Sequence, residues 1–122
     1  MGKIEKWLSD FQDAWKNHDI EKVLSLFSSD VEYWENPFLK VSNLEDLRKE
    51  WEYIKNQNDI KIESNIFSAC NDKFTVRWDL GYKDLRDGSL KKFSGVYLIA
   101  LNEEDRCNYF FHCGEKETRS IT

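Results

Sequence analysis

Proline is nearly absent: Pro37 is the only one, and just five glycines occur in 122 residues. So few cannot build a collagen-like, Pro-rich or Gly-rich linker segment. Long apolar runs are missing too. None approaches the ~20 residues of a membrane span, and no signal-peptide core follows Met1, so a cytoplasmic protein is expected. Basic charge is the minority, 18 Lys and Arg against 23 Asp and Glu, leaving −5 at pH 7. Nucleic acid and anionic membranes require a basic face, so neither is an expected partner. Cys70, Cys107 and Cys113 are an odd set without a CxxC, which points to reduced thiols. With only His18 and His112 besides, no ligand pair has zinc spacing, and no metal or cofactor is expected. No Ser-His-Asp order, nucleophile elbow or phosphate-cradling loop is present either.

What the chain has in plenty is aromatic rings: five Trp, five Tyr and eight Phe. They exclude disorder and supply a core for one domain over residues 1–122. Ile4, Trp7, Leu8, Phe11 and Trp15 recur at helical spacing, and Asn17-His18 ends that helix. Asp19 caps a second, short helix with Ile20, Val23, Leu24 and Phe27 on its apolar face. Val31 to Trp34 reads as a strand ending at Asn36-Pro37. Ser42 and Glu45 form a capping-box pattern before a third helix carrying Leu44, Leu47, Trp51 and Ile54. Beyond Asn58 the period turns to two. Ile60 to Ala69 reads as a strand, and Phe74, Val76, Trp78, Leu80 and Tyr82 alternate with polar residues in the next. Asp87-Gly88 signals a hairpin. Phe93–Leu101 and Cys107–Cys113 are the last two strands. Helices segregated from strands predict an α+β fold: three N-terminal helices packed in a cone against a curved, mainly antiparallel sheet.

Several stretches resemble the nuclear transport factor 2-like superfamily, in its SnoaL-like and ketosteroid-isomerase-like branch. They are Phe11-x-x-x-Trp15-x-x-x-Asp19 leading to Leu24 and Phe27, Val31 to Pro37-Phe38, Gly95-Val96-Tyr97, and the Asp105-Arg106-Cys107 turn. The resemblance implies a pocket between helices and sheet, lined here by Phe11, Trp15, Trp34, Asn36, Trp51, Trp78, Tyr97, Phe110 and His112.

Three chemistries follow from the resemblance. In ketosteroid isomerases a Tyr and a protonated Asp hold the enolate oxygen while another Asp moves the proton. Those positions fall on Phe11, Tyr97 and Asn36, which leaves a hydrogen-bond donor at Tyr97 but no base, since an amide has no useful proton affinity. In limonene-epoxide hydrolase an Arg-x-Asp and a further Asp activate water. Arg77-Trp78-Asp79 matches the first part and His112 stands at the second. The core face of that strand is Phe74, Val76, Trp78 and Leu80, so Arg77 and Asp79 reach a pocket only if the register slips by one. In polyketide cyclases of the SnoaL type, acids promote an aldol closure, but Tyr109, Phe111 and His112 replace the charges of the last strand. Glu32, Glu35, Glu45, Asp46, Glu50 and Glu52 read as solvated faces and helix N-terminal charges.

Three readings therefore stand side by side. One is an apolar aromatic pocket for a small hydrophobic molecule. Another is a pocket hydrolase or isomerase using Arg77, Asp79 and His112. The third is a non-catalytic interaction module with a filled pocket. Val96, Leu98 and Ala100 on the outer sheet face predict a homodimer through the β-sheet.

Overall fold

The computed structural model describes residues 2–118, so the ends of the expected domain, residues 1 and 119–122, lie outside the described residues. Helix α1 spans Lys3–Lys16, α2 Ile20–Ser25 and α3 Leu44–Trp51, with a 3-10 turn over Glu52–Asn56. The strands are β1 Phe27–Asn36, β2 Leu39–Val41, β3 Gln57–Cys70, β4 Lys73–Asp84, β5 Leu90–Leu101 and β6 Cys107–Lys116. They form one curved, unclosed sheet in the order β2-β1-β6-β5-β4-β3. Only the β1–β6 pairing is parallel. The expected α+β architecture is the one observed.

Local chemistry sets the helix ends. Asn17 donates its side-chain amide to the Asp13 carbonyl at 2.8 Å, and His18 turns left-handed at φ 56°. The turn frees Asp19 to accept from the Lys22 N–H at 3.1 Å and open α2. Three details differ from the sequence reading. The cap of α3 is Asn43, which accepts from the Asp46 N–H at 2.8 Å, not Ser42. Phe27 starts β1 rather than closing α2, because the strand runs on through the polar residues Ser28 and Asp30, which bond each other at 2.7 Å. The short β2 pairs with the end of β1 and was hidden by its length.

The core is largely aromatic. The buried stripe of α1 (Ile4, Trp7, Leu8, Phe11, Ala14, Trp15) faces the inner side of the sheet. Trp7 stacks on Phe11 at 4.9 Å between centroids, and Tyr33 stacks on Phe110 at 5.0 Å. Trp15 meets Trp51 edge-on at 4.9 Å. Each such ring contributes about 1.5–3 kcal/mol by burial, plus ring-pair geometry. Along β4 the inner residues are Phe74, Val76, Trp78, Leu80 and Tyr82, as alternation predicts. Trp78 lies flat across the neighbouring strands. A Cβ on Gly114 would meet its ring at 2.5 Å and one on Gly95 at 2.7 Å, so both positions need glycine.

Candidate functional site

The inner face gathers most of the expected pocket residues. Phe11, Trp15, Trp51, Trp78, Tyr97 and Phe110 are all buried there. Phe11 lies within ring-contact distance of Trp15, Trp51, Tyr97 and Phe110. His112 shares this face, opposite Tyr97 in the ladder and stacked on Trp78 at 5.0 Å.

Two expected lining residues stand elsewhere. Trp34 points to the outer face, where its indole N–H donates to Glu32 at 2.9 Å and its ring tilts against Phe111. Its neighbour Tyr33 takes the inner position, and strand alternation forces Trp34 outward. Asn36 is exposed, and its Oδ1 accepts from the Phe38 N–H at 2.8 Å, shaping the turn around Pro37.

Arg77, Asp79 and His112 do not converge. Register is unslipped: Trp78 faces inward, so Arg77 and Asp79 face outward, where they border an open groove of about 1080 Å³. His112 is on the opposite side of the sheet. Val96, Leu98 and Ala100 follow Arg77 onto the outer face, since Tyr97 and Ile99 between them are buried.

The inner face also holds a carboxyl that the sequence reading left in solvent. On β1 the ladder to β2 skips Glu35: Trp34 pairs with Lys40 and Asn36 with Leu39. Glu35, two residues beyond Tyr33, keeps to the same side of the strand, and the skip leaves it without a β2 partner. The Tyr33 hydroxyl donates to Glu35 Oε2 at 3.0 Å, and the Trp51 indole N–H donates to that hydroxyl at 3.2 Å. Burial pushes the Glu35 carboxyl from its ordinary 4.5 up to about 7; the Tyr33 hydrogen bond opposes this and the Glu50 charge adds to it. Desolvation dominates, so proton uptake by Glu35 falls within the neutral range. The missed signal was the alternation Val31, Tyr33, Glu35, which sets the carboxyl on the apolar face.

Groups around Glu35 register its charge. The Tyr97 hydroxyl, buried and near Glu35, is raised far above its ordinary value, first by burial and then by that carboxylate. This hydroxyl makes no side-chain hydrogen bond among the described residues. Tyr53, on the 3-10 turn and 38% exposed overall, is raised first by burial and then by the same carboxylate. His112 Nδ1 lies 2.7 Å from the Glu35 carbonyl oxygen. A carbonyl only accepts, so Nδ1 carries the proton and Nε2 is left as an acceptor. Desolvation lowers the His112 pKa despite this hydrogen bond, keeping the ring neutral.

Among the described residues no cluster of His, Cys, Asp and Glu could hold a metal ion, and no helix is long and apolar enough to cross a membrane. A proton-transfer group beside a fixed hydrogen-bond donor is what this arrangement offers chemically.

No curated protein matches this sequence. Solved structures do match it in fold. AusH from Aspergillus nidulans is 16% identical with a TM-score of 0.80, over 97% of this chain and 87% of that one. Delta 5-3-ketosteroid isomerase from Mycobacterium sp. is 12% identical with a TM-score of 0.78, over 96% of this chain and 100% of that one. RV0760c from Mycobacterium tuberculosis, solved with estradiol-17beta-hemisuccinate, is 15% identical with a TM-score of 0.77, over 92% of this chain and 93% of that one. Identities this low carry the fold and leave the activity to the site. The SnoaL-like domain matches residues 8–108, most of the chain, and the protein belongs to that family.

Proposed function

We propose that the protein is a pocket enzyme that moves a proton on a small hydrophobic molecule containing a ring and a carbonyl. Glu35 takes and returns the proton, and the Tyr97 hydroxyl donates to the oxygen on which negative charge develops. The observation that carries this reading is Glu35 itself, a partly buried carboxyl with a pKa of about 7, hydrogen-bonded by Tyr33 on an otherwise aromatic face. A base works best when its pKa lies near the working pH, and a buried donor stabilises an oxyanion more strongly than water-exposed groups do. The aromatic surroundings suit flat apolar substrates. Support also comes from the fold, shared with an isomerase and with a protein solved around a steroid ester.

The test is solvent exchange at the carbon next to a ring ketone. In D2O, 2-tetralone with wild-type protein should lose its α-proton NMR signals faster than in buffer. The rate should rise through pH 7 as Glu35 ionises, and Glu35→Gln should abolish the acceleration. Wild-type rates equal to buffer, or an unimpaired Glu35→Gln, refute the proposal.

We further propose a homodimer through the outer sheet face. Leu98 is 40% exposed there, beside Val96, Ala100, Tyr109 and Phe111. One rung of the ladder runs Lys73, Ala100, Tyr109, Glu32 across β4, β5, β6 and β1. A two-fold axis along the strands between β5 and β6 sets Leu98 against Phe111 of the partner subunit, and Lys73 against Glu32 of the partner subunit. An apolar centre with paired rim charges is the anatomy of a specific interface. Light scattering should give twice the 14.6 kDa chain mass. Lys73→Glu should weaken the dimer and Lys73→Glu with Glu32→Lys should restore it; a wild-type monomer refutes the idea.

A further inference from the structure

On β1, the β2 ladder skips Glu35, while the β6 ladder carries Trp34 opposite Phe111. Beyond that rung a side chain takes over. His112, the next residue of β6, donates from Nδ1–H to the Glu35 carbonyl oxygen at 2.7 Å. The imidazole is itself fixed. It stacks on Trp78 at 5.0 Å, and its centroid lies 5.8 Å from that of Tyr97. Trp78 is only 2% exposed and lies over Gly95 and Gly114, where its ring leaves no room for a Cβ. A buried floor thus holds the imidazole, and the imidazole holds the main chain of the acid. The carboxyl at the other end of the same residue accepts from the Tyr33 hydroxyl at 3.0 Å. Glu35 is therefore held at both ends, its backbone by β6 and its side chain by β1.

We infer that His112 is a positioning residue: by tying down the Glu35 main chain it keeps the carboxyl on the aromatic face, bonded to Tyr33. The role presupposes the reading above, in which Glu35 is the group that moves the proton. Sequence pattern grouped His112 with Arg77 and Asp79, and the sheet puts it on the other side from them. The tie to Glu35 gives the histidine a use on the side where it stands. One ring nitrogen is committed to a carbonyl and one ring face to Trp78, which suits a strut better than a reagent. Proton transfer needs its base held close to the target, and a displacement of ~1 Å costs on the order of 100-fold in rate. A residue without a β2 partner has no fixed place on that side of the strand, so the precision must come from β6.

Exchange of 2-tetralone in D2O at pH 8 and 13C NMR titration of the Glu35 carboxyl test the role together. His112→Asn keeps an N–H donor where Nδ1 stands, whereas His112→Phe keeps a ring against Trp78 and has no donor. The Phe variant should lose about 10- to 100-fold in kcat with KM within about twofold, and the Asn variant should stay within about threefold of wild type. Glu35 should titrate at about 7 in wild type and in the Asn variant, and fall toward its ordinary 4.5 in the Phe variant. Tyr33 on β1, Glu50 on α3, Tyr53 on the 3-10 turn and Tyr97 on β5 also interact with this carboxyl. They are the same in all three proteins, so a difference reports position 112. A Phe variant with unchanged exchange and titration overturns the role. An Asn variant as slow as the Phe variant, with Glu35 still at about 7, overturns it too, since the imidazole itself would then be reacting. A wild type that does not accelerate exchange overturns the function proposed above and leaves His112 to the titration: a fall in the Phe variant upholds the role, and no fall overturns it. If the Phe variant does not fold, wild-type 15N shifts decide. His18 and His112 are the only histidines, and His112 should carry its proton on Nδ1; a proton on Nε2 overturns the tie to Glu35.

Discussion

Replacing Glu35 by Gln should stabilise the protein at pH 8 and leave it nearly unchanged at pH 5. The rise of the carboxyl from 4.5 to about 7 sets the sign and the size. Between these values the folded chain binds more protons at Glu35 than the unfolded chain does. Stability therefore falls as pH climbs through that window. At ~1.36 kcal/mol for each pH unit, the ceiling on the loss is about 3.4 kcal/mol. Glu35 is only partly buried, so solvent screening brings the expected figure nearer 2 kcal/mol. Gln cannot ionise, and its carbonyl can still accept from Tyr33. At pH 5 the wild-type group is protonated and resembles the amide. At pH 8 it is a desolvated carboxylate and the amide wins. Thermal unfolding should show the variant roughly 6–12 °C more stable at pH 8, taking 3–6 °C per kcal/mol for a domain of this size. A variant destabilised equally at both pH values would mean that the Tyr33 hydrogen bond outweighs desolvation, and would refute the reasoning. A parallel shift upward at both would refute it too.

Three other substitutions probe the frame around the site. Gly114→Ala drives a methyl into the Trp78 ring, 2.5 Å away, and should cost about 1–3 kcal/mol with a changed near-ultraviolet Trp signal; an unaltered unfolding curve contradicts the flat packing of Trp78. Asp84→Asn should loosen the β4–β5 hairpin, since Asp84 accepts from Arg86 Nε at 3.1 Å and from Lys91 Nζ at 2.7 Å. These partners hold the Asp84 carboxyl well below its usual range, so its stabilisation is complete above about pH 4 and disappears in acid. Hydrogen exchange over residues 85–90 should accelerate at pH 7 and become insensitive to acid in the variant. Finally, Arg77→Ala and Asp79→Asn, on the outer face, should leave 2-tetralone exchange within about twofold of wild type; a large loss from either would put the chemistry on the wrong side of the sheet.

Much of the fold was legible because periodicity reports burial directly. The spacing of Ile4, Trp7, Leu8, Phe11 and Trp15 marks the buried face of α1, and the alternation along β4 marks its inner side. That alternation also placed Arg77 and Asp79 outside unless the register slipped, and it does not slip. The stretches that escaped lack period. Three residues of β2 carry no pattern, and Asn43 and Ser42 are equally good caps until a hydrogen bond chooses.

The site was harder to read because the acid proposed to work there looks, in the sequence, like one more surface charge among many. Aligning Asn36-Pro37 with the isomerase pattern puts an amide where the base belongs, and by identity alone the chemistry looks lost. Alternation from Tyr33 points instead to Glu35. Between Trp34 and Asn36 one residue has no partner on β2, and that residue is Glu35. It sits two places from Tyr33, on the face that also carries Trp51 and Tyr97. Asn36 takes up the turn instead, bonding Phe38. Burial on this largely aromatic face, which made the site look inert, is the largest influence raising the Glu35 pKa toward neutrality. Substituting Asn36 should therefore change the turn and its stability, while substituting Glu35 should change the chemistry.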